Sequence, residues 1–303
     1  MSRARKWVLV GTAIATVAAA AYLAAGTVLI GPARAEVGPP PPRSGGQTVE
    51  VRSRSGARLS AWAVPGRCRC GVVVVLHGVR SNRGDVSNRV ELFHEAGYGV
   101  VAPDLQAHGE SEGEHITFGH LERLDAEAAV AFARSHFPGQ PVAVVGVSLG
   151  GAAATLAGGD LGADAVVLEA VYPDIESATR NRLRIRAGGL GARLAPVLLA
   201  QLPLRTGVRP ADLRPVDAVG TLGAPVLVVA GTRDQHTTPA DTERLYAAAR
   251  APKVIWWVEG AAHVDFLNYA PEQYRARVLG FLRERLARAQ ANPPLHRTAQ
   301  TAS

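Results

Sequence analysis

Six short apolar runs, most of them followed by an amphipathic stretch, constrain this chain more than any other feature. They read GVVVVLHG from Gly71, YGVVAPD from Tyr98, PVAVVGVS from Pro141, ADAVVLEA from Ala163, APVLVVAG from Ala224 and KVIWWVEG from Lys253. A strand that is apolar along its whole length is buried on both faces, so the sheet it joins must be covered on both sides. Helical patterns at about residues 85–96, 121–135, 241–250 and 272–289, and after Ser148, supply that cover. The expectation is an α/β fold with a mostly parallel, doubly wound sheet. Ahead of it, TVEVRSRSGARLSAWAVP alternates about Ser55-Gly56 and predicts an antiparallel hairpin from residue 48. One interval breaks the rhythm: Pro173 to Val216 is longer than a crossover helix needs. Leu183, Ile185, Leu190, Leu194, Val197, Leu198 and Leu202 can line apolar helical faces there around a glycine hinge. A small helical cap of about residues 173–216 over the carboxyl edge of the sheet is expected, with a plain surface excursion as the alternative.

The N-terminus makes a separate argument. Arg3, Arg5 and Lys6 precede an uncharged run from Trp7 to Ile30. At about 1.5 Å per residue this run reaches roughly 36 Å as a helix, against a hydrocarbon core of roughly 30 Å. Residues 1–35 therefore read as a transmembrane anchor, with the basic end cytoplasmic and the body on the far side of the membrane. Ala33-Arg34-Ala35 also has the small-x-small pattern of a cleavage site, so a signal peptide and a body secreted after cleavage at Ala35 is the alternative. EVGPPPPRSGGQ, residues 36–47, reads as a Pro- and Gly-rich spacer. Residues 48–290 form the expected main domain, and 291–303 lack apolar periodicity and read as a disordered tail.

The formal net charge of +7 is no argument for a polyanion partner, because Arg3, Arg5, Lys6 and Arg34 alone carry more than half of it. No nucleic-acid motif appears. Cys68 and Cys70 are the only cysteines. One intervening residue would make a small ring, and two ligands alone do not make a zinc site, so incidental free thiols are expected. No H-E-x-x-H pattern or acidic cluster organises a metal, and no dinucleotide fingerprint is present.

The chemistry concentrates at Gly146-Val147-Ser148-Leu149-Gly150, where a buried strand turns into an Ala-rich helix. Small residues relieve the crowding of a sharp turn there, and the serine hydroxyl is lifted clear of the sheet. A serine needs a base to become a nucleophile, and the base needs an orienting acid. Asp234 follows the strand PVLVVAG in TRDQHTTP, and His263 follows KVIWWVEG in AAHVDF. Both stand where catalytic groups of open α/β sheets collect.

With these residues the chain resembles the α/β-hydrolase family over about residues 48–288, in which the triad runs serine, acid, histidine. The resemblance implies Ser148 as nucleophile, His263 as base and Asp234 as acid, with Asp265 and Asp174 as rival acids. It also implies oxyanion donors at the backbone N–H groups of Leu149 and of Val79, in LHGVRSN. His77 then reads as an architectural histidine before Gly78. In APDLQAHGESEG, Asp104, His108, Gly109 and Ser111 shape the floor near the site, with His108 stabilising a turn. Candidates on the substrate side are His77, Gly78, His115, His120 and His236. Trp256 and Trp257 read as packing residues of a strand.

The implied activity is that of a serine esterase without cofactor or metal, acting on an acyl or lipid-like ester of modest size. The short cap and the HGES turn resemble the lysophospholipase-like and serine-aminopeptidase-like branches, which leaves a peptidase or an acyl thioesterase as alternatives. A non-catalytic binding protein on the same fold is a further class, one that a missing triad member would mark. A dehalogenase or epoxide hydrolase would carry an acid where Ser148 stands.

Overall fold

The computed structural model describes residues 3–292. All but the first two residues of the expected tail lie outside the described residues. Eight strands build the main sheet: β1 (Gln47–Arg52), β2 (Arg58–Val64), β3 (Val72–Leu76), β4 (Gly99–Pro103), β5 (Val142–Val147), β6 (Ala165–Glu169), β7 (Val226–Gly231) and β8 (Lys253–Val258). They lie in the order β1-β2-β4-β3-β5-β6-β7-β8. The β1–β2 hairpin and the β2–β4 pair are antiparallel, and every other pair is parallel.

The period of two along β3 explains the layers. Val72, Val74 and Leu76 face a core shared with α3 (Glu122–His136) and α4 (Leu149–Ala157). Val73 and Val75 face the opposite core, shared with α2 (Ser87–Glu95) and the C-terminal helix Gly280–Ala291. A β-branched run buried on both faces fits only such a three-layer arrangement.

Between β6 and β7 the chain inserts α5 (Ile175–Arg193), α6 (Ala195–Leu199) and α7 (Gln201–Thr206). Asp174 caps α5 by accepting from the Ser177 N–H at 2.7 Å. The helix breaks at Ala187-Gly188, where Gly188 takes φ 63°, within the glycine hinge expected from the sequence.

One feature differs from expectation. Cys68 and Cys70 are joined as a disulfide rather than left as free thiols, because the loop before β3 folds back and brings their Cα atoms to 5.3 Å. After the N-terminal helix α1 (Arg3–Ile30) the chain makes contacts with the body. Ala33-Arg34 pairs in parallel with His108-Gly109. The Arg34 guanidinium donates to the Ser111 and Gly113 carbonyls at 2.7 and 2.8 Å, and Trp62 Nε1 donates to the Gly38 carbonyl at 3.1 Å.

Candidate active site

Ser148 is the hinge between β5 and α4, with φ 48° and ψ −107°, a left-handed conformation that a side-chain-bearing residue adopts only when its surroundings impose it. The neighbours impose it here. The Ser148 N–H donates to the Glu169 carbonyl at the end of β6 (2.8 Å), and the Ser148 carbonyl accepts from Ala152 (2.9 Å) to open α4. A Cβ on Gly146 would lie 2.5 Å from the Gly151 Cα, and one on Gly150 would lie 2.5 Å from the Leu76 carbonyl oxygen. The glycines of the motif are thus required by backbone approach. The Ser148 hydroxyl is buried and has no hydrogen-bond partner among the described residues.

His263, in the loop after β8, lines the same cleft as Ser148. Its Nδ1 donates to Asp234 Oδ2 at 2.7 Å, leaving Nε2 as the acceptor. The other Asp234 oxygen accepts from the His236 and Thr237 N–H groups at 2.7 and 2.9 Å, so the carboxylate cannot rotate away. The rival acids are engaged elsewhere. Asp265 accepts from Arg89 (2.8 Å) and Asn88 (2.9 Å), and Asp174 pairs with Arg244 (3.1 Å) besides capping α5.

The cleft holds about 330 Å³, at the small end of the range that fits a drug-sized ligand. Gly78 and Val79 form part of its wall, and His236 another part, its ring centroid 5.1 Å from that of His263. Burial, the neighbouring His263 and Arg182 all push the His236 pKa down, so this ring is neutral near pH 7. Leu149 opens α4, and its N–H has no acceptor within the helix.

Three substrate-side candidates fall outside the cleft. His77 is fully buried, with Nδ1 donating to the Gly78 carbonyl (2.8 Å) and Nε2 accepting from the Leu105 N–H (3.0 Å). Both ring nitrogens serve the backbone, so it is an architectural residue. His115 faces a separate groove beside Gln106 and Thr206, and His120 is absent from the cleft wall. Their loop follows β4 and bends toward the hairpin. The HGES turn is likewise structural. Asp104 is sealed in a buried pair with Arg83, and Ser111 Oγ donates to the Asp104 carbonyl (2.6 Å). His108 Nδ1 donates to the Gln106 carbonyl (2.9 Å). Trp256 packs in the core, and Trp257 is half-buried on the same strand.

Sequence reasoning missed the charged part of the wall. Arg89 on α2 bridges Glu169 (2.6 Å) and Asp265 (2.8 Å), and the Tyr274 hydroxyl donates to Glu169 at 2.5 Å. The same Glu169 holds the Ser148 backbone, so this network braces the serine turn from behind. Arg182 on α5 completes the wall. No spacing signal marks these residues, because they come from five separate elements.

A sheet of this order, with a left-handed serine between strand and helix at its carboxyl edge, defines the α/β-hydrolase class. The chain belongs to the α/β-hydrolase family and is a hydrolase. Residues 67–206 match the serine aminopeptidase S33 family. The chain is 30% identical over 242 residues to the uncharacterized protein Rv2307c of Mycobacterium tuberculosis, covering 77% of this chain and 76% of that one. It is 25% identical over 259 residues to the alpha/beta hydrolase domain-containing protein WAV2 of Arabidopsis thaliana, covering 75% and 80%. The Pyrococcus furiosus esterase Pf2001 shares the fold with a TM-score of 0.71 at 21% identity, covering 85% of this chain and 98% of that one.

Proposed function

We propose that the protein is a membrane-anchored serine esterase that cleaves an acyl or lipid-like carboxylic ester through an acyl-enzyme at Ser148. The observation that carries the reading is an unpartnered buried hydroxyl in one cleft with a histidine whose far nitrogen is held by a fixed carboxylate. In this mechanism His263 Nε2 takes the Ser148 proton as Oγ adds to the ester carbonyl carbon. The backbone N–H groups of Leu149 and Val79 receive the developing oxyanion. The tetrahedral intermediate expels the alkoxide, which leaves as the alcohol with the proton from His263. Water, deprotonated by the same nitrogen, then releases the carboxylic acid and restores Ser148.

The match to a serine aminopeptidase family favours a peptidase as the second reading. Glu169 and Asp265 in the cleft wall are both taken by Arg89, so Asp85, which accepts from Ser81 Oγ and the Asn82 N–H and pairs with no cation among the described residues, is the carboxylate that a free amino terminus would meet there. Hydrolysis of p-nitrophenyl esters from acetate to palmitate by the full chain in detergent, beside aminoacyl p-nitroanilides, tests the choice. Ester cleavage that peaks at one chain length and vanishes in Ser148→Ala is expected. Anilide cleavage alone would establish the peptidase, and inertness on both series would leave a binding protein or a thioesterase.

The anchor reading is supported by α1, which is long and apolar enough to cross a membrane, and by the bases Arg3, Arg5 and Lys6 at its start. The Cys68–Cys70 disulfide suits a body outside the reducing cytoplasm. Pairing of Ala33-Arg34 with His108-Gly109 makes the stretch before Ala35 part of the folded body, which favours an uncleaved chain.

A further inference from the structure

The insertion between β6 and β7 turns much of its apolar surface outward. Ile185, Leu190, Leu194, Val197 and Leu204 are all exposed, Leu190 at 76% and Leu204 at 86%. Outside α1, the other exposed large apolar side chains among the described residues are Val254, Val264 and Tyr269. A soluble surface has little reason to gather such residues on one stretch. Arginines are interleaved with them: Arg180, Arg184, Arg186 and Arg193 are exposed and pair with no carboxylate among the described residues. An apolar face fringed by unpaired cations is the pattern of a helix lying in a membrane interface, where the aliphatic side chains enter the acyl boundary and the cations meet anionic headgroups.

The same stretch is tied to the end of α1. Gln201 Nε2 donates to the Tyr22 carbonyl at 2.9 Å. The Arg205 guanidinium donates to the Leu23 carbonyl at 2.8 Å and to Thr27 Oγ1 at 3.0 Å. Gly26 is buried against the Gln201 side-chain amide, which a Cβ there would have to displace. About 20 residues of helix cross a bilayer, so a span that begins at Trp7 brings residues 23–27 to the far boundary. α7 is bonded to that turn and therefore sits at the bilayer surface. From there α5 leads back to the cleft, which Arg182 lines.

We infer that the outward face of the insertion, from Ile185 to Leu204, is seated in the anionic surface of the bilayer that α1 spans. The cleft of Ser148 then opens beside the lipid, and its ester comes from the membrane. The seating rests on the reading of α1 as a span, and the lipid ester rests in addition on the esterase reading.

The test is spin labelling of the full chain in vesicles of phosphatidylcholine, with and without phosphatidylglycerol. Single cysteines replace Leu190, Leu204, Asp160 (exposed, at the opposite edge of the sheet) and Ile14 (within α1); Cys68 and Cys70, being bonded, take no label. Leu190→Cys and Leu204→Cys should collide with a water-soluble nickel chelate at least about fivefold less than Asp160→Cys, and collide more with oxygen. The protection should deepen with phosphatidylglycerol, and Arg184→Gln with Arg186→Gln should remove that increment. Labels at 190 and 204 as open to nickel as at 160, while 14 stays in lipid, would overturn the seating alone. A water-exposed label at 14 would overturn the span and the seating together. Neither readout depends on hydrolysis, so failure of the esterase reading is detected separately.

Discussion

At the scale of single residues, the Ser148 cleft separates two carboxylates that sequence alone cannot rank by geometry. Asp234 holds His263, while Asp265, two residues beyond that histidine, holds Arg89. Asp234→Asn should therefore lower kcat by about 10³–10⁴-fold with little change in Tm, since the histidine loses the acceptor that sets its tautomer. Asp265→Asn should instead lower Tm and leave most of the ester turnover. Equal losses of kcat in the two variants would refute this assignment. His77 makes a prediction about acid. Burial, with His108 beside it, pushes its pKa down to about 3. The unfolded chain, with an ordinary histidine pKa of about 6.5, takes up a proton that the native ring refuses. Stability from this site is complete above about pH 6.5 and is lost as the pH falls toward about 3. Asp125, raised to about 6 chiefly by burial, acts in the opposite sense, favouring the native state as pH falls from about 6 to about 4. His77→Gln should be less stable at neutral pH, and its Tm should fall less between pH 7 and pH 5 than that of the parent. An unchanged slope would show that other groups govern the acid limb.

At the scale of elements, the serine turn is a strained connection held by what surrounds it. Gly150 lies against the Leu76 carbonyl, which belongs to a central strand and cannot retreat. Gly150→Ala should cost about 3 kcal/mol in chemical denaturation, an overpacking penalty, and should lower activity further because Leu149 and its N–H shift with the turn. Behind the turn, Arg89→Met would leave Glu169 buried without its partner and should destabilise by about 3–5 kcal/mol. The insertion obeys a different rule. Its inner residues Leu199 and Leu202 pack into the core, while its outer residues face away from the sheet, so one amphipathic pattern serves two surroundings.

At the scale of the whole molecule, α1 and the body are joined through more than a tether. Arg34 reaches the Ser111 and Gly113 carbonyls, and Ile30 is buried at 3% exposure in the same core as Ile116. Arg34→Ala removes two charge-assisted hydrogen bonds of an exposed side chain, which solvent screens to about 1 kcal/mol or less each. Limited proteolysis between residues 31 and 46 should accelerate in this variant while the body stays resistant. Cleavage at the parental rate would mean that the strap contributes nothing to order there.

What was legible in the sequence was what depends on neighbours along the chain. The strands of VVVVL, VAVVGV and VLVVAG announce themselves because β-branched runs buried on both faces have few other solutions, and the hairpin about Gly56 announces itself by alternation. Ser148, Asp234 and His263 could be singled out as candidates because each follows a strand of that pattern, at the edge where such sheets collect their ligands. Three-dimensional neighbours decided the rest. The partners of Asp265 and Asp174, the exclusion of His77, His115 and His120 from the cleft, and the brace of Arg89, Glu169 and Tyr274 all join residues far apart in the chain. The bond between Cys68 and Cys70, two positions apart, turned on how a loop folds back. Periodicity reports that a helix has an apolar side, and only the packed structure shows whether that side meets the core, as Leu202 does, or faces outward, as Leu204 does.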